Sequence, residues 1–124
     1  MSFLVAINKG SADEVVVVEK PKTTTEKILE KLPKEFIAIA RAESGMNPRA
    51  QNWNCRYDGV SKPCLPADRP LAWSVDCGLF QINTEGTHCP ESLFDLDINI
   101  SKALDLYSTR GMQPWKASMH VWIN

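Results

Sequence analysis

Four cysteines, Cys55, Cys64, Cys77 and Cys89, crowd into 35 positions of a 124-residue chain, and the rest has none. No other feature so narrows what the middle of the chain can become. Four half-cystines allow three pairings, and spacing alone does not choose between them. Pairing neighbours, Cys55 with Cys64 and Cys77 with Cys89, closes two short loops, each worth about 3 kcal/mol on the chain-entropy model. A zinc site is the competing state, but tetrathiolate sites usually carry close pairs such as C-x-x-C, and none is present. Free thiols are the third state. Disulfides are the expected one, and they imply an oxidising compartment.

The length fits one domain with a real core. A 44% hydrophobic composition excludes a disordered chain, and no internal period marks a repeat array. The longest apolar runs, Phe3 to Ile7 and Val15 to Val18, fall far short of the roughly 20 residues of a membrane span. Fourteen Lys and Arg against fifteen Asp and Glu leave a net charge of −1 with no basic block, which argues against a nucleic-acid partner.

Residues 1–22 are expected to be a tail or linker, with Val15 to Val18 able to add one strand before Lys20, Pro21 and Lys22 break any regular element. The folded domain is expected over 23–124. Thr24 or Thr25 can cap a first helix whose apolar face is Ile28, Leu29 and Leu32. Pro33 interrupts that pattern. A second helix should run from Pro33 to about Ser44, with Phe36, Ala40 and Glu43 on one face and Ile37 beside them. Gly45 ends it, and Asn47-Pro48 confirms the stop. From Gln51 to Asn83, turn residues punctuate short segments, and Asp58-Gly59 beside Tyr57 is a hairpin signal. After Phe94, Ile100, Ala103, Leu104 and Tyr107 recur at helical spacing, with Asp95 or Asp97 as cap and Gly111 as stop. A short helix follows near Pro114. The expected class is α+β, mostly α, with a small cysteine-pinned β region inserted between helices.

Glu43 continues an apolar stripe instead of facing water. A carboxyl packed against apolar groups has its charged form disfavoured, so its pKa rises, and a proton kept near neutral pH suits a general acid. The alternative is a solvated helix-end glutamate. The neighbouring strings bear on the choice. In order stand Ala42-Glu43-Ser44-Gly45-Met46-Asn47-Pro48, then Cys77-Gly78-Leu79-Phe80-Gln81-Ile82-Asn83, then Asn99-Ile100, Ala103, Tyr107, Gly111 and Pro114-Trp115. Over about residues 24–117 this order resembles the lysozyme-like superfamily. The first string is similar to the A-x-E-S-G-x-N-P helix end of SLT-type bacterial lytic transglycosylases. The second is similar both to their G-L-M-Q motif and to the G-I-x-Q-I-N string of animal-type lysozymes.

The resemblance implies a lysozyme-like fold and cleavage of the β-1,4 bond between N-acetylmuramic acid and N-acetylglucosamine in peptidoglycan. Glu43 would be the general acid, with no cofactor and no metal. Asp76 matches the second acid of animal-type lysozymes, where S-T-D-Y-G corresponds to Ser74-Val75-Asp76-Cys77-Gly78. Lytic transglycosylases lack an acid there; one glutamate serves as acid and then base, giving an anhydro product. The chain mixes both patterns, and a hydrolase using Glu43 and Asp76 is the expectation. A transglycosylase using Glu43 alone is the alternative. For Asp76 itself the other reading is a turn aspartate, and Glu85, Asp58 and Asp68 are weaker candidates. The stretch between Glu43 and Asp76 is longer than in animal-type lysozymes and carries Cys55 and Cys64.

By the same resemblance, Ser44, Gln81 and Asn83 flank the cleft and Tyr107 reaches the catalytic glutamate through its hydroxyl. Their other readings are turn-holding and core packing. Trp115 corresponds to a cleft-adjacent tryptophan, Trp53 and Trp73 belong to the β region forming one cleft wall, and Trp122 is structural. His88 and His120 match no metal spacing, and Asp95 and Asp97 alone make no calcium loop. The expected partner is the peptidoglycan glycan strand, met by a monomer. An inactive wall-binding protein on the same fold is the reading from another class. The site of action would be extracellular, periplasmic or at the wall. Phe3 to Ile7 is too short for the roughly 7–15 apolar residues of a secretory signal, which leaves another export route, a piece of a longer protein, or a phage-type lysin.

Overall fold

The computed structural model describes residues 4–8, 15–19 and 24–118, the first two segments as backbone only. The chain divides into two compact units, residues 1–33 and 34–124. In the first unit, strand β1 (Leu4–Asn8) pairs antiparallel with β2 (Val15–Glu19), Leu4 opposite Glu19 and Asn8 opposite Val15. The single strand expected at Val15 to Val18 is therefore present with a partner, drawn from the other apolar run. Helix α1 (Thr24–Leu29) follows, and its end tightens, Leu32 N–H donating to the Leu29 carbonyl at 3.0 Å. Lys20 to Lys22, His120 and Trp122 lie outside the described residues.

The second unit opens with α2 (Lys34–Ser44), which buries Phe36, Ile39 and Ala40. Gly45 and Met46 both take left-handed backbone, at φ +62° and +68°. That reversal returns the Gly45 and Met46 amides to the Arg41 and Ala40 carbonyls, ending the helix as the glycine predicts. A four-stranded antiparallel sheet comes next, in the order β4-β3-β5-β6. Its strands are β3 (Gln51–Tyr57), β4 (Val60–Pro63), β5 (Ser74–Cys77) and β6 (Ile82–Glu85). Asp58 and Gly59 make the two-residue β3–β4 turn with φ of +53° and +78°, the double left-handed geometry that hairpins prefer. A 3-10 segment, Pro66–Leu71, links β4 to β5.

Helix α3 (Leu96–Arg110) is capped by Asp95, whose Oδ1 accepts from Ile98 N–H at 3.1 Å, and not by Asp97. A final 3-10 segment spans Gln113–Ser118. All four cysteines are paired as neighbours, Cys55 with Cys64 and Cys77 with Cys89, which removes the zinc and free-thiol alternatives. Among the described residues, helices of 6, 11 and 15 residues stand beside strands of 5, 5, 7, 4, 4 and 4. The chain is thus less dominated by helix than expected, because the first 22 residues contribute two strands. No helix among the described residues is long and apolar enough to cross a membrane.

The core of this unit sets buried Phe36, Phe80 and Trp115 among aliphatic side chains, with Tyr107 at its exposed edge. The Phe36 ring meets Phe80, Tyr107 and Trp115 edge-on, with centroids 5.5, 5.3 and 6.0 Å away. One buried polar residue ties sheet to helix. Asn99, on α3, donates to the Cys77 and Leu93 carbonyls at 3.0 and 2.8 Å and accepts from Phe80 N–H at 2.9 Å. That crosslink fixes the β5–β6 turn, and with it the strand that carries Asp76.

Candidate active site

A cleft of about 790 Å³ is lined by residues of the sheet and of α3, together with Glu43 and Trp115. Asn54, Asp76 and Asn83 line it from the sheet, Trp73 from just before β5, and Lys102, Asp105 and Arg110 from α3. A second lobe of about 290 Å³ opens beside Trp53 and Arg69 and shares Glu43, Asn54, Asp76 and Gln81 with the first. The two lobes therefore meet at the two carboxylates.

Glu43 reaches the cleft because it lies on the buried face of α2, one turn beyond Ala40 and close to the helix end. Burial pushes its carboxyl above the ordinary range; the Ser118 hydrogen bond pulls it back in part, and the charge of Asp76 adds to the rise. Glu43 Oε1 and Ser118 Oγ are 2.5 Å apart. The net direction is upward, which favours a protonated acid.

Asp76 is arranged differently. Its Oδ1 accepts from Asn83 Nδ2 at 2.8 Å and its Oδ2 from Asn54 Nδ2 at 3.1 Å. Each amide spends its other hydrogen on Ser74 Oγ, at 3.0 and 3.1 Å. Register explains the pattern. Asn54 lies opposite Ser74 across β3–β5, and Asn83 lies opposite Asp76 across β5–β6. Ser74 and Asp76, two apart on one strand, share a face. Asp76 is thus a strand residue held as an acceptor from both sides, which leaves the turn-aspartate reading without support.

The remaining expected site residues divide. Gln81 lines both lobes, but its side chain also holds the turn. Its Nε2 donates to the Ala50 and Gly78 carbonyls at 3.2 and 3.0 Å, and its Oε1 accepts from Asn52 at 2.6 Å. Ser44 is turned back on its own helix, donating to the Ala40 carbonyl at 2.9 Å, a common alternative for a serine near a helix end. Tyr107 packs edge-on against Phe36, and the hydroxyl beside Glu43 belongs to Ser118 instead. Trp115 lines the cleft yet is only 2% exposed, its Nε1 donating to the Phe80 carbonyl at 2.9 Å. Trp73 is open at 38% exposure, with the Arg56 guanidinium 4.5 Å above its ring. Trp53 carries Arg69 in the same way, also at 4.5 Å.

Of the weaker candidates, Asp58 forms the hairpin turn and Asp68 accepts from the Tyr57 hydroxyl at 2.7 Å. Glu85 ends β6 in an exposed position. His88 Nδ1 lies 2.8 Å from Thr87 Oγ1. Ser118, Asn54 and Ser74 were missed. Ser74 and Asn54 had a signal, since polar residues alternating on paired strands share a face; Ser118 lies 75 positions from Glu43 and had none.

Residues 22–105 match the family model described as the transglycosylase SLT domain. Neither the curated proteins nor the solved structures yield a match. The matched span is more than half of the chain and holds Glu43, Asp76, Gln81, Asn83 and all four cysteines, and it ends before Tyr107, Trp115 and Ser118.

Proposed function

Because the chain belongs to the transglycosylase SLT domain family, a lysozyme-like family that acts on peptidoglycan, we propose that it is a muramidase hydrolysing the β-1,4 bond between N-acetylmuramic acid and N-acetylglucosamine. One observation carries this reading: Glu43, driven toward its protonated form by burial, shares a cleft with Asp76, whose two oxygens are held by two amides. Glu43 donates its proton to the glycosidic oxygen as the bond breaks. Asp76 faces the positive charge that develops at the anomeric carbon. Glu43, now a carboxylate, then takes a proton from the incoming water, as microscopic reversibility requires. The two disulfides support a place of action outside the cytoplasm, at the wall that is the substrate.

The family match itself favours a second reading, in which Glu43 works alone as acid and then base and the muramyl 6-hydroxyl attacks. Mass spectrometry of products from purified peptidoglycan separates the two. Reducing ends are expected. Products lighter by one water, with 1,6-anhydro ends, would overturn hydrolysis in favour of the transglycosylase. Glu43→Gln should lose at least about 100-fold in turnover under either reading, with its fold intact by circular dichroism. Near-parent turnover in that variant would show that the acid lies elsewhere.

A further inference from the structure

The narrow lobe contains one positive side chain, Arg69, set among the lining residues that also include both carboxylates. Its guanidinium lies over Trp53, 4.5 Å from the ring centroid. No hydrogen bond or ion pair among the described residues occupies its N–H groups. The adjacent acid, Asp68, is taken by the Tyr57 hydroxyl at 2.7 Å. Arg49 makes the contrast: it too lies over an aromatic ring, that of Phe94, at 4.6 Å, but its charge is spent on Glu91 at 3.2 Å.

The segment bearing Arg69 is unusually constrained for a connection on the surface. Pro66 and Pro70 bracket it within the 3-10 segment Pro66–Leu71, and each fixes its own φ. The Cys55–Cys64 disulfide anchors the chain just before it. Tyr57 clamps it from β3, accepting from Leu65 N–H at 3.0 Å while donating to Asp68. The Asp68 amide then closes on the Leu65 carbonyl at 2.8 Å, and the Ala72 amide on that of Arg69 at 3.1 Å. An arginine held in this way loses little freedom on meeting an anion, and its planar fork of donors suits a carboxylate.

We propose that Arg69, lying over Trp53, binds a carboxylate carried by the muramyl sugar and so places that sugar in the narrow lobe. This rests on the peptidoglycan reading above and names the feature of the glycan that is recognised. Charge supplies the polarity of the site. Among the residues lining the lobe, a carboxylate is repelled by Asp76 and attracted by Arg69, while Glu43, held toward its neutral form, adds little repulsion. A neutral N-acetylglucosamine has no reason to prefer Arg69. The muramyl carboxylate has two sources, the lactyl group itself and the peptide stem built on it, and they present the same chemistry.

The test compares the parent with Arg69→Gln and Arg69→Ala on three soluble substrates. These are glycan strands with stems intact, strands stripped of stems by an amidase so that the lactyl carboxylate is free, and strands with every carboxyl capped as an amide. For the parent, capping should raise KM by about tenfold, the scale of one charge-assisted hydrogen bond, with kcat little changed. Both variants should show that raised KM on uncapped strands and no further response to capping. Arg69 is exposed, so both should fold. On a stem-bearing sugar the lactyl carboxyl is tied up in an amide, so discrimination on intact strands identifies the stem, and discrimination confined to stripped strands identifies the lactyl carboxylate. A parent indifferent to capping, or variants that still respond to it, would overturn the inference while leaving the peptidoglycan reading standing. A parent that cleaves none of the three would overturn that reading itself.

Discussion

At the scale of single residues, Glu43 is tuned by two neighbours whose effects have opposite sign. The Ser118 bond lowers the Glu43 pKa and the Asp76 charge raises it. Ser118→Ala should therefore move the Glu43 titration to higher pH and Asp76→Asn to lower pH, both followed by carboxyl-carbon NMR. Because the acid must carry its proton, rate falls as pH climbs through that pKa, so the alkaline limb of the Ser118→Ala profile should also move upward. A downward move would mean that the hydroxyl does not stabilise the carboxylate. Linkage gives a stability counterpart. A glutamate whose folded pKa is raised contributes fully below its unfolded pKa, and that contribution is lost as pH rises through the folded value. Glu43→Gln should thus be more stable than its parent near neutral pH and lose that advantage in acid, as thermal melts at several pH values would read. Glu43 was legible in the sequence because its position depends only on the helical period and a glycine stop. Ser118 was not, because only the tertiary fold brings residue 118 to residue 43. Helical spacing alone does not show where Tyr107 lies: its ring meets Phe36 edge-on, yet the residue is 41% exposed.

At the scale of elements, the sheet is where local signals served best. Asp58-Gly59 specified its hairpin, and Gly45 and Gly111 specified two helix ends, because left-handed backbone is a demand on one or two residues. The asparagine clamp on Asp76 needed the register of three strands, which turn residues alone do not supply. Gly78 joins both levels. Its φ is +77°, and a β-carbon there would collide with the Asn99 amide and the Leu93 carbonyl. Gly78→Ala should cost at least about 2 kcal/mol, combining left-handed strain with displacement of a buried hydrogen-bonded side chain. Denaturant titration would measure it, and a loss near zero would mean that the Asn99 crosslink can give way. Reduction of the two disulfides should lower Tm, each closing a loop worth about 3 kcal/mol. An unchanged melt under reductant would deny the cysteines their structural part.

At the scale of the whole molecule, a net charge of −1 supplies no general attraction to an anionic wall. Affinity must come from the cleft. Every cleft residue lies within 34–124, the larger of the two units. A chain starting at residue 22, where the family match begins, should keep its turnover within about twofold on soluble strands. A larger loss would give the β1–β2 pair a share in the activity. The broad order, helices, then a cysteine-tied β region, then helices, could be anticipated from patterning because each part has its own periodicity. At the N-terminus a strand at Val15 to Val18 could be anticipated but its partner at Leu4–Asn8 could not, since a short apolar run is equally at home in a strand, a helix or a tail.

The neighbour pairing of the cysteines also bears on how the chain is made. Cys55 and Cys64 are 9 residues apart and Cys77 and Cys89 are 12 apart, so each bridge joins consecutive cysteines. A chain emerging N-terminus first into an oxidant meets its correct partners in order, and closing either small ring is entropically cheaper than closing a crossed one. Such a protein has little need of disulfide reshuffling, and its oxidation can run ahead of its folding.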